Sequence, residues 1–232
     1  MELENLLNQL FPTGCQATTK DWLVTGEAVV DETPVSILGT TRHVFLGVRE
    51  IVALSEKLLD ILERFPSRPI LMLVDNNGQR MALDEELLVL PQYIAHLLRV
   101  QQAARLNGCK LIALVYGNSI AGGFVAFGML ADRIVSVPGA ETSVMKLEAI
   151  SRVIKMPMEK LRALAAKISV FAPGCENFYM MGGLYEMWTD NFPHRLRSLI
   201  GSDLSRDLRA QLGRERGGRL AAQSIIQEVV AA

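Results

Sequence analysis

The chain has 232 residues, of which 50% are hydrophobic and 21% are charged, and its formal net charge is −1. A chain of this length can bury about 70% of its unfolded surface, so we expect one substantial core. Such a balanced charge offers no overall attraction for nucleic acid or an acidic membrane surface, and neither is expected as a partner. Three widely spaced cysteines and an acidic N-terminal segment favour the cytoplasm.

The first third of the sequence predicts an antiparallel meander, then a helix, then a short buried strand. Two apolar, β-branched runs within residues 21–44 are separated by the turn-forming segment Asp31–Pro34. Apolar residues then recur at helical spacing over Val48–Phe65. Pro69–Val74 is a continuous apolar run, which is typical of a buried strand.

A polar segment, Asp75-Asn-Asn-Gly78, follows this strand directly, and its composition predicts a turn. Ligands in α/β folds collect beyond the carboxyl ends of buried strands. We therefore expect Asn76, Asn77 and Gly78 to bind substrate. Turn formation is the alternative role of the two asparagines.

The middle of the sequence predicts the longest helix and a second buried strand. The helical pattern covers Leu83–Leu106 and is expected to break or kink at Pro91. Leu111–Val115 then reads as a buried strand that ends in a tight turn at Gly117. Two successive strand-turn-helix units argue for an α/β fold with helices covering the sheet.

A helix that opens at Gly122 and Gly123, before a strand over Arg133–Val137, is the best candidate for a catalytic element. The first N–H groups of a helix have no partner within it, and the helix dipole favours negative charge there. We therefore predict that Gly122 and Gly123 form an oxyanion hole and that Gly117 and Ala121 line the substrate site. Close packing or a turn is the alternative role of the glycine pair.

Other functions of this glycine-rich segment are disfavoured. Its glycine spacing, Gly117-x4-Gly122-Gly123-x4-Gly128, matches neither the dinucleotide fingerprint nor the phosphate-binding loop. Ser119 lies one residue short of a G-x-S-x-G elbow, and a hydrolase would need one of three isolated histidines as its base. Those histidines also lack metal-ligand spacing, so no metal is assigned.

The last third predicts short elements followed by a basic, helical end. They are a turn and short strand at Pro138–Met145, helices over Lys146–Ile168 interrupted by Pro157, and loops at Phe171–Tyr179 and Met181–Gly183. The arginine-rich end reads as a solvated helix face, with docking of an acidic acyl carrier protein as the alternative. We expect a single domain over 1–232, with its core at about 20–190 and a helical basic extension over 191–232.

Several of these segments carry a family resemblance. Val74–Gln79, the long helix, Ile112–Gly117 and Ala121–Gly128 with Ala131–Val135 resemble the crotonase-type core of the acyl-CoA carboxyltransferases. The downstream segments 144–151 and 171–177 make the chain similar, more specifically, to the gamma subunits of biotin-independent malonate decarboxylases. The resemblance covers roughly residues 20–190.

The resemblance implies a crotonase-like spiral of ββα units and an active site shared with a paralogous beta subunit. Together the two would decarboxylate malonyl-S-acyl carrier protein to acetyl-S-acyl carrier protein and CO2, with Gly122 and Gly123 stabilising the enolate. The prosthetic group that it implies resembles dephospho-CoA and belongs to the acyl carrier protein subunit. An acyl carrier protein transferase subunit is a further implied partner, and no cofactor is expected on this chain.

The sequence differs from related enzymes at positions that matter for catalysis, and these differences reduce the number of plausible activities. Enoyl-CoA hydratases carry a glutamate just after the glycine turn, where this chain has Phe124 and Val125. A stand-alone CoA-thioester isomerase or hydratase is therefore the less favoured hypothesis, and Glu148 is expected to lie on the surface. A non-catalytic structural subunit is the third hypothesis. The chain has no Ala-Met-Lys-Met sequence and is not expected to carry biotin.

The chain supplies donors for negative charge but no convincing general acid, so we expect it to be inactive alone. An exposed apolar surface is predicted between residues 180 and 188, because methionine and aromatic residues are enriched at protein contacts. Its members would be Met180, Met181, Leu184, Tyr185 and Trp188. A location in the core is the alternative.

Overall fold

The computed structural model describes residues 1–167, 173–218 and 220–231. In chain order the elements of these residues are α1 (Leu3–Leu10), β1 (Gln16–Lys20), β2 (Leu23–Val30), β3 (Thr33–Thr40), β4 (Val44–Leu46), α2 (Val48–Arg64), β5 (Ile70–Gln79), α3 (Leu83–Leu87), α4 (Leu90–Leu106), β6 (Leu111–Ile120), α5 (Ala121–Ala126), β7 (Arg133–Ser136), β8 (Glu141–Ser143), α6 (Leu147–Ile154), α7 (Met158–Ala165), α8 (Cys175–Met180), β9 (Glu186–Met187), α9 (Phe192–Gly201), α10 (Arg209–Glu215) and α11 (Leu220–Ala231). From β4 to β7 each strand is separated from the next by one or two helices, as the sequence predicts for an α/β fold.

The strands form one sheet in the order β1-β2-β3-β5-β6-β7-β9, with β4 added beside β5 and β8 beside β6. The hairpins β1–β2 and β2–β3 are antiparallel, whereas β3, β5, β6, β7 and β9 run parallel. The predicted meander is therefore confirmed, although β1 was not predicted. Because parallel strands are covered on both faces, their segments are continuous apolar runs.

The two central strands change partners halfway along. β5 pairs with β3 over Ile70–Leu73 and with β4 around Asn76, while β6 pairs first with β7 and then, from Asn118, with β8. The register between β5 and β6 shifts between Val74 and Asn76. The prediction of turns at 75–78 and at Gly117 is thus wrong, because new strand partners continue the pairing there.

Apolar side chains alternate between the two faces of the sheet and build two cores. Met72 and Val74 face the core beneath α2, α4 and α5, whereas Leu71 and Leu73 face the core covered by α1 and α9. Leu184 and Trp188 are 0% and 1% exposed. The prediction that these two side chains lie on an exposed surface is wrong, and the alternative of a core location holds for them.

Prolines and a left-handed residue divide the helices. α3 and α4 are separated at Val89, whose φ is 60°, and Pro91 lies in the first turn of α4. The predicted break is confirmed, as is the interruption of the next helical stretch at Pro157, although Ile168 lies outside the described residues. Residues 175–180 are helical rather than a loop, and positions 171 and 172 of that predicted loop also lie outside the described residues.

Two buried carboxylates accept hydrogen bonds from the backbone at the start of α2. These bonds also fix the position where β4 ends, because Gly47 joins β4 to α2. Glu50 Oε2 accepts the Gly47 N–H at 2.9 Å, and Glu85 Oε2 accepts the Val48 N–H at 2.7 Å. Arg80 lies 3.2 Å from Glu50 Oε2. Negative charge beside the first N–H groups of a helix stabilises it.

Within the described residues, no helix combines the length and the apolarity needed to span a bilayer.

Candidate active site

The chain passes from β6 into α5 without an intervening loop, and this junction holds the predicted glycine pair. Ile120 is extended, and Ala121 then adopts a left-handed conformation with φ of 47°. A non-glycine residue in this region costs about 1–3 kcal/mol, and such strain clusters at functional sites. The backbone here turns sharply and presents the N–H of Gly122 toward the neighbouring strand β5.

The Gly122 N–H donates to Oε1 of Gln79 at 2.8 Å. A Cβ at Gly122 would lie 2.7 Å from that oxygen. An amide carbonyl oxygen resembles the carbonyl oxygen of a thioester in its shape and its negative partial charge. The Gly122 N–H therefore binds a carbonyl-type oxygen in this structure. That oxygen belongs to the flexible side chain of Gln79, which can move away.

Gly123 makes a different contact. A Cβ there would lie 2.7 Å from the Cα of Gly78 and would overlap Oδ1 of Asn76. Gly78 itself has a φ of 95°, a left-handed conformation that favours glycine. The two backbones approach so closely that position 123 needs glycine for packing, which is the alternative role considered for Gly123.

Asn76 and Ser119 place polar atoms beside this contact. Asn76 Oδ1 accepts the Gly78 N–H at 3.1 Å. Asn76 Nδ2 and Ser119 Oγ are buried and have no hydrogen-bond partner among the described residues. The two residues are paired across β5 and β6. Buried polar atoms are nearly always satisfied, so these two atoms have hydrogen-bonding capacity to spare beside the glycine pair.

Asn77 is joined to the end of β6 rather than free to move. Its Oδ1 accepts a hydrogen bond from Nδ2 of Asn118 at 2.7 Å. The bond links the second halves of β5 and β6, where both strands have exchanged partners. This geometry gives Asn77 a clear structural contact at the rim of the site.

A buried carboxylate lies one residue before Asn76. Asp75 is 3% exposed and accepts hydrogen bonds from the backbone N–H groups of His43 and Asn118, each at 2.9 Å. His43 Nδ1 lies 2.5 Å from its Oδ1. Sequence reasoning treated His43 as isolated, because 32 residues separate the two side chains. The turn between β3 and β4 brings them together.

Gly117 provides the space for this carboxylate. A Cβ at Gly117 would lie 2.5 Å from Cγ of Asp75. Of the residues predicted to line the substrate site, Gly117 therefore contacts Asp75, whereas Ala121 and Gly78 lie beside the glycine pair.

The variant Gly117→Ala is expected to lower the free energy of unfolding by about 1–3 kcal/mol, because the methyl group must displace a buried, hydrogen-bonded carboxylate. Chemical denaturation measures this change. Gly201→Ala is the matched control, since a Cβ there meets no described atom within 4 Å beyond its chain neighbours and its own helix. Equal stability of the two variants would contradict the packing role.

Three further groups near the site are unsuited to nucleophilic attack. Burial raises the pKa of Tyr116, whose hydroxyl donates to the Thr40 carbonyl at 2.9 Å. Burial likewise raises the pKa of the Cys175 thiol. The Ser119 hydroxyl has no base within hydrogen-bond distance among the described residues, so the hydrolase hypothesis finds no support.

Most arginines of the C-terminal end make intramolecular contacts. Arg195 pairs with Asp190, Arg197 with Asp31, and Arg209 with Asp207. The Arg209 guanidinium lowers the pKa of Asp207 to about 2. The positive charge of this region is therefore partly used within the chain.

Comparison with known proteins identifies the family. The family model described as the malonate decarboxylase gamma subunit matches residues 41–232. A curated relative, the malonyl-S-ACP:biotin-protein carboxyltransferase MADD of Malonomonas rubra, is 32% identical over 171 residues. That match covers 66% of this chain and 58% of the relative, so the chain spans little more than half of its length.

Solved structures of similar chains are consistent with this family. A Pseudomonas malonate decarboxylase hetero-tetramer in complex with coenzyme A contains a chain that is 25% identical, with a TM-score of 0.71 and 97% of both chains covered. The Pseudomonas MdcD-MdcE hetero-dimer contains a chain that is 23% identical, with a TM-score of 0.72. The match covers 97% of this chain and 96% of the Pseudomonas chain. The crotonase-like α/β fold that the resemblance implied is confirmed. Because the family model matches most of its length, the chain belongs to the malonate decarboxylase gamma subunit family.

Proposed function

We propose that this chain is the gamma subunit of a malonate decarboxylase and forms the active site together with a paralogous beta subunit. The substrate is a malonyl thioester on an acyl carrier protein, and the products are the acetyl thioester and CO2. We also propose a single domain over residues 1–232, which is supported by the packing of Phe192 and Leu196 of α9 in the same core as α1.

The observation that carries this proposal is the hydrogen bond from Gly122 N–H to the Gln79 carboxamide oxygen. Loss of CO2 from a malonyl thioester leaves an enolate, whose negative charge develops on the thioester oxygen. A preorganised donor at that oxygen stabilises the transition state by about 2.7–4 kcal/mol. When the Gln79 side chain swings away, the same N–H is available to the substrate oxygen.

Asn76 supports the site from within the sheet. Its Nδ2 has no hydrogen-bond partner within the described part of the chain and lies beside the contact between Gly123 and Gly78. A buried donor of this kind is suited to an oxygen of the malonyl group or to a water molecule that bridges to it. Gly122 and Asn76 are thus our candidates for substrate contacts, whereas Gly123 and Gly117 keep the backbone close enough to place them.

The relatives support the partners that we propose. The Malonomonas protein is named for a malonyl-S-ACP substrate, and the Pseudomonas enzyme is a hetero-tetramer solved with coenzyme A. We infer for this chain a paralogous beta subunit, an acyl carrier protein that carries a dephospho-CoA-type group, and a transferase that loads it. The chain itself needs no cofactor in this scheme, because backbone and amide donors supply the stabilisation of charge.

The experiment is to assay CO2 release from a malonyl thioester by the chain alone, by the candidate beta subunit alone and by the co-expressed pair. Activity in the pair only is expected, and added avidin should leave it unchanged. Full activity of the chain alone would support a stand-alone crotonase enzyme. Inhibition by avidin would support transfer of the carboxyl group to a biotin protein, which is the activity named for the Malonomonas relative.

A further inference from the structure

Decarboxylation leaves a carbanion equivalent at the carbon next to the thioester, and the acetyl product forms only when this carbon receives a proton. The donor groups discussed so far stabilise the enolate oxygen but cannot supply that proton. Tyr116 and Cys175 are unsuited, because the buried Tyr116 hydroxyl already donates to the Thr40 carbonyl and the buried Cys175 thiol to the Ala140 carbonyl. The reaction therefore needs a proton donor close to the carbon that lost CO2.

The pair of His43 and Asp75 has the geometry of such a donor. Asp75 is buried and holds Nδ1 of His43 at 2.5 Å, while the histidine side chain is 57% exposed. Its Nε2 has no hydrogen-bond partner among the described residues and lies on the ring edge away from Asp75. A carboxylate that fixes one ring nitrogen orients the other for proton transfer.

The position of the pair links it to the candidate site. His43 directly precedes β4, whose first residue Val44 is paired with Asn76. Asp75 precedes Asn76 in β5, and Asn76 lies against Gly123. His43 therefore adjoins the second half of β5, the part of the strand whose Gln79 side chain accepts the Gly122 N–H.

The local backbone is shaped to present this ring. Arg42 and His43 both have left-handed conformations, with φ of 61° and 51°. Two successive non-glycine residues in this region are costly, and such strain persists where the surrounding structure enforces it. Here Asp75 enforces it, because its carboxylate also accepts the His43 N–H.

We propose that His43 is the general acid that protonates the enolate, with Asp75 as its positioning residue; this inference rests on the proposed function. The Nε2–H bond of the imidazolium breaks, a C–H bond forms at the carbon that lost CO2, and the nitrogen keeps the electron pair. Solvent then returns a proton to Nε2. Asp75 retains its hydrogen bond to Nδ1 throughout.

The alternative is that the pair merely fastens the β3–β4 turn to β6. Two substitutions separate these roles. In His43→Asn the side-chain amide nitrogen can replace Nδ1 at Asp75 while Nε2 is lost, so the structural bond remains and the acid does not. Arg42→Asn is the matched control, because it introduces the same residue one position earlier in the same exposed, left-handed turn.

The test uses the assembled pair of subunits and two reactions. One is release of CO2 from the malonyl thioester, and the other is exchange of the methyl hydrogens of the acetyl thioester in D2O, which is the protonation step in reverse. His43→Asn is expected to lower both rates by about 10²-fold or more. Its melting temperature and its KM should stay at the wild-type values. Arg42→Asn should keep both rates.

The outcomes are distinguishable. If the wild-type pair decarboxylates and His43→Asn retains wild-type rates in both reactions, the proton comes from solvent or from the partner subunit, and the inference is wrong. Loss of both rates together with a lower melting temperature would support the fastening role instead. A wild-type pair that neither decarboxylates the malonyl thioester nor exchanges the acetyl thioester would overturn the proposed function and this inference with it.

Discussion

Gly122→Ala is expected to lower kcat of the assembled enzyme by about 10²-fold while the chain remains folded, since loss of one oxyanion donor costs a factor of this size. The added methyl group would lie 2.7 Å from Oε1 of Gln79, which is the place that an acceptor oxygen occupies. The fold tolerates the change because that oxygen is the far end of a flexible side chain. Steady-state decarboxylation and thermal melting measure the two effects.

Two further variants make this prediction sharp. Gln79→Ala removes the intramolecular acceptor and should lower KM, because the substrate oxygen no longer competes with it for the Gly122 N–H. Gly123→Ala should instead lower the stability, since its methyl group meets the backbone of Gly78. A fully active Gly122→Ala enzyme would show that the Gly122 N–H does not contact the substrate.

Arg216→Met is expected to lower the free energy of unfolding by about 2–4 kcal/mol, since hydrogen bonds from a charged group contribute about 1.5–3 kcal/mol. The guanidinium donates to the carbonyl oxygens of Tyr179, Leu184 and Tyr185 at 2.8, 2.7 and 2.9 Å. It also lies 3.6 Å from the centre of the Tyr179 ring. Methionine keeps much of the side-chain length and removes all three donors.

Arg214→Met is the control for that experiment. Arg214 is exposed, and its side chain makes no hydrogen bond or ion pair among the described residues. Urea denaturation of both variants should therefore separate an arginine that holds the 179–185 segment from one that only carries charge. Equal destabilisation of the two would mean that net charge, rather than the carbonyl contacts, is responsible. Binding of the acyl carrier protein by the basic C-terminal end stays a prediction. The variant Arg214→Met can test it, because this substitution removes a positive charge without removing a structural contact.

Local sequence patterns determined the elements with strong periodicity. The apolar run before Asp75 and the one before Gly117 are both central strands, and α2 begins and ends within a residue of its predicted bounds. The glycine pair also stands at the start of a helix, as predicted. These features could be predicted because the hydrophobic period, β-branched runs and glycine positions determine the backbone conformation over a few residues.

The tertiary structure alone decided what surrounds the glycine pair. Asp75–Gly78 and Gly117 have the composition of turns, yet β4 and β8 approach from distant parts of the chain and extend both strands through them. The same exchange of partners buries the Asp75 carboxylate and brings His43 onto it. Leu184 and Trp188 are likewise core residues, because the clusters that they join are built from distant parts of the chain. A pattern of neighbouring residues specifies the local backbone, whereas burial and pairing depend on which distant segments pack together.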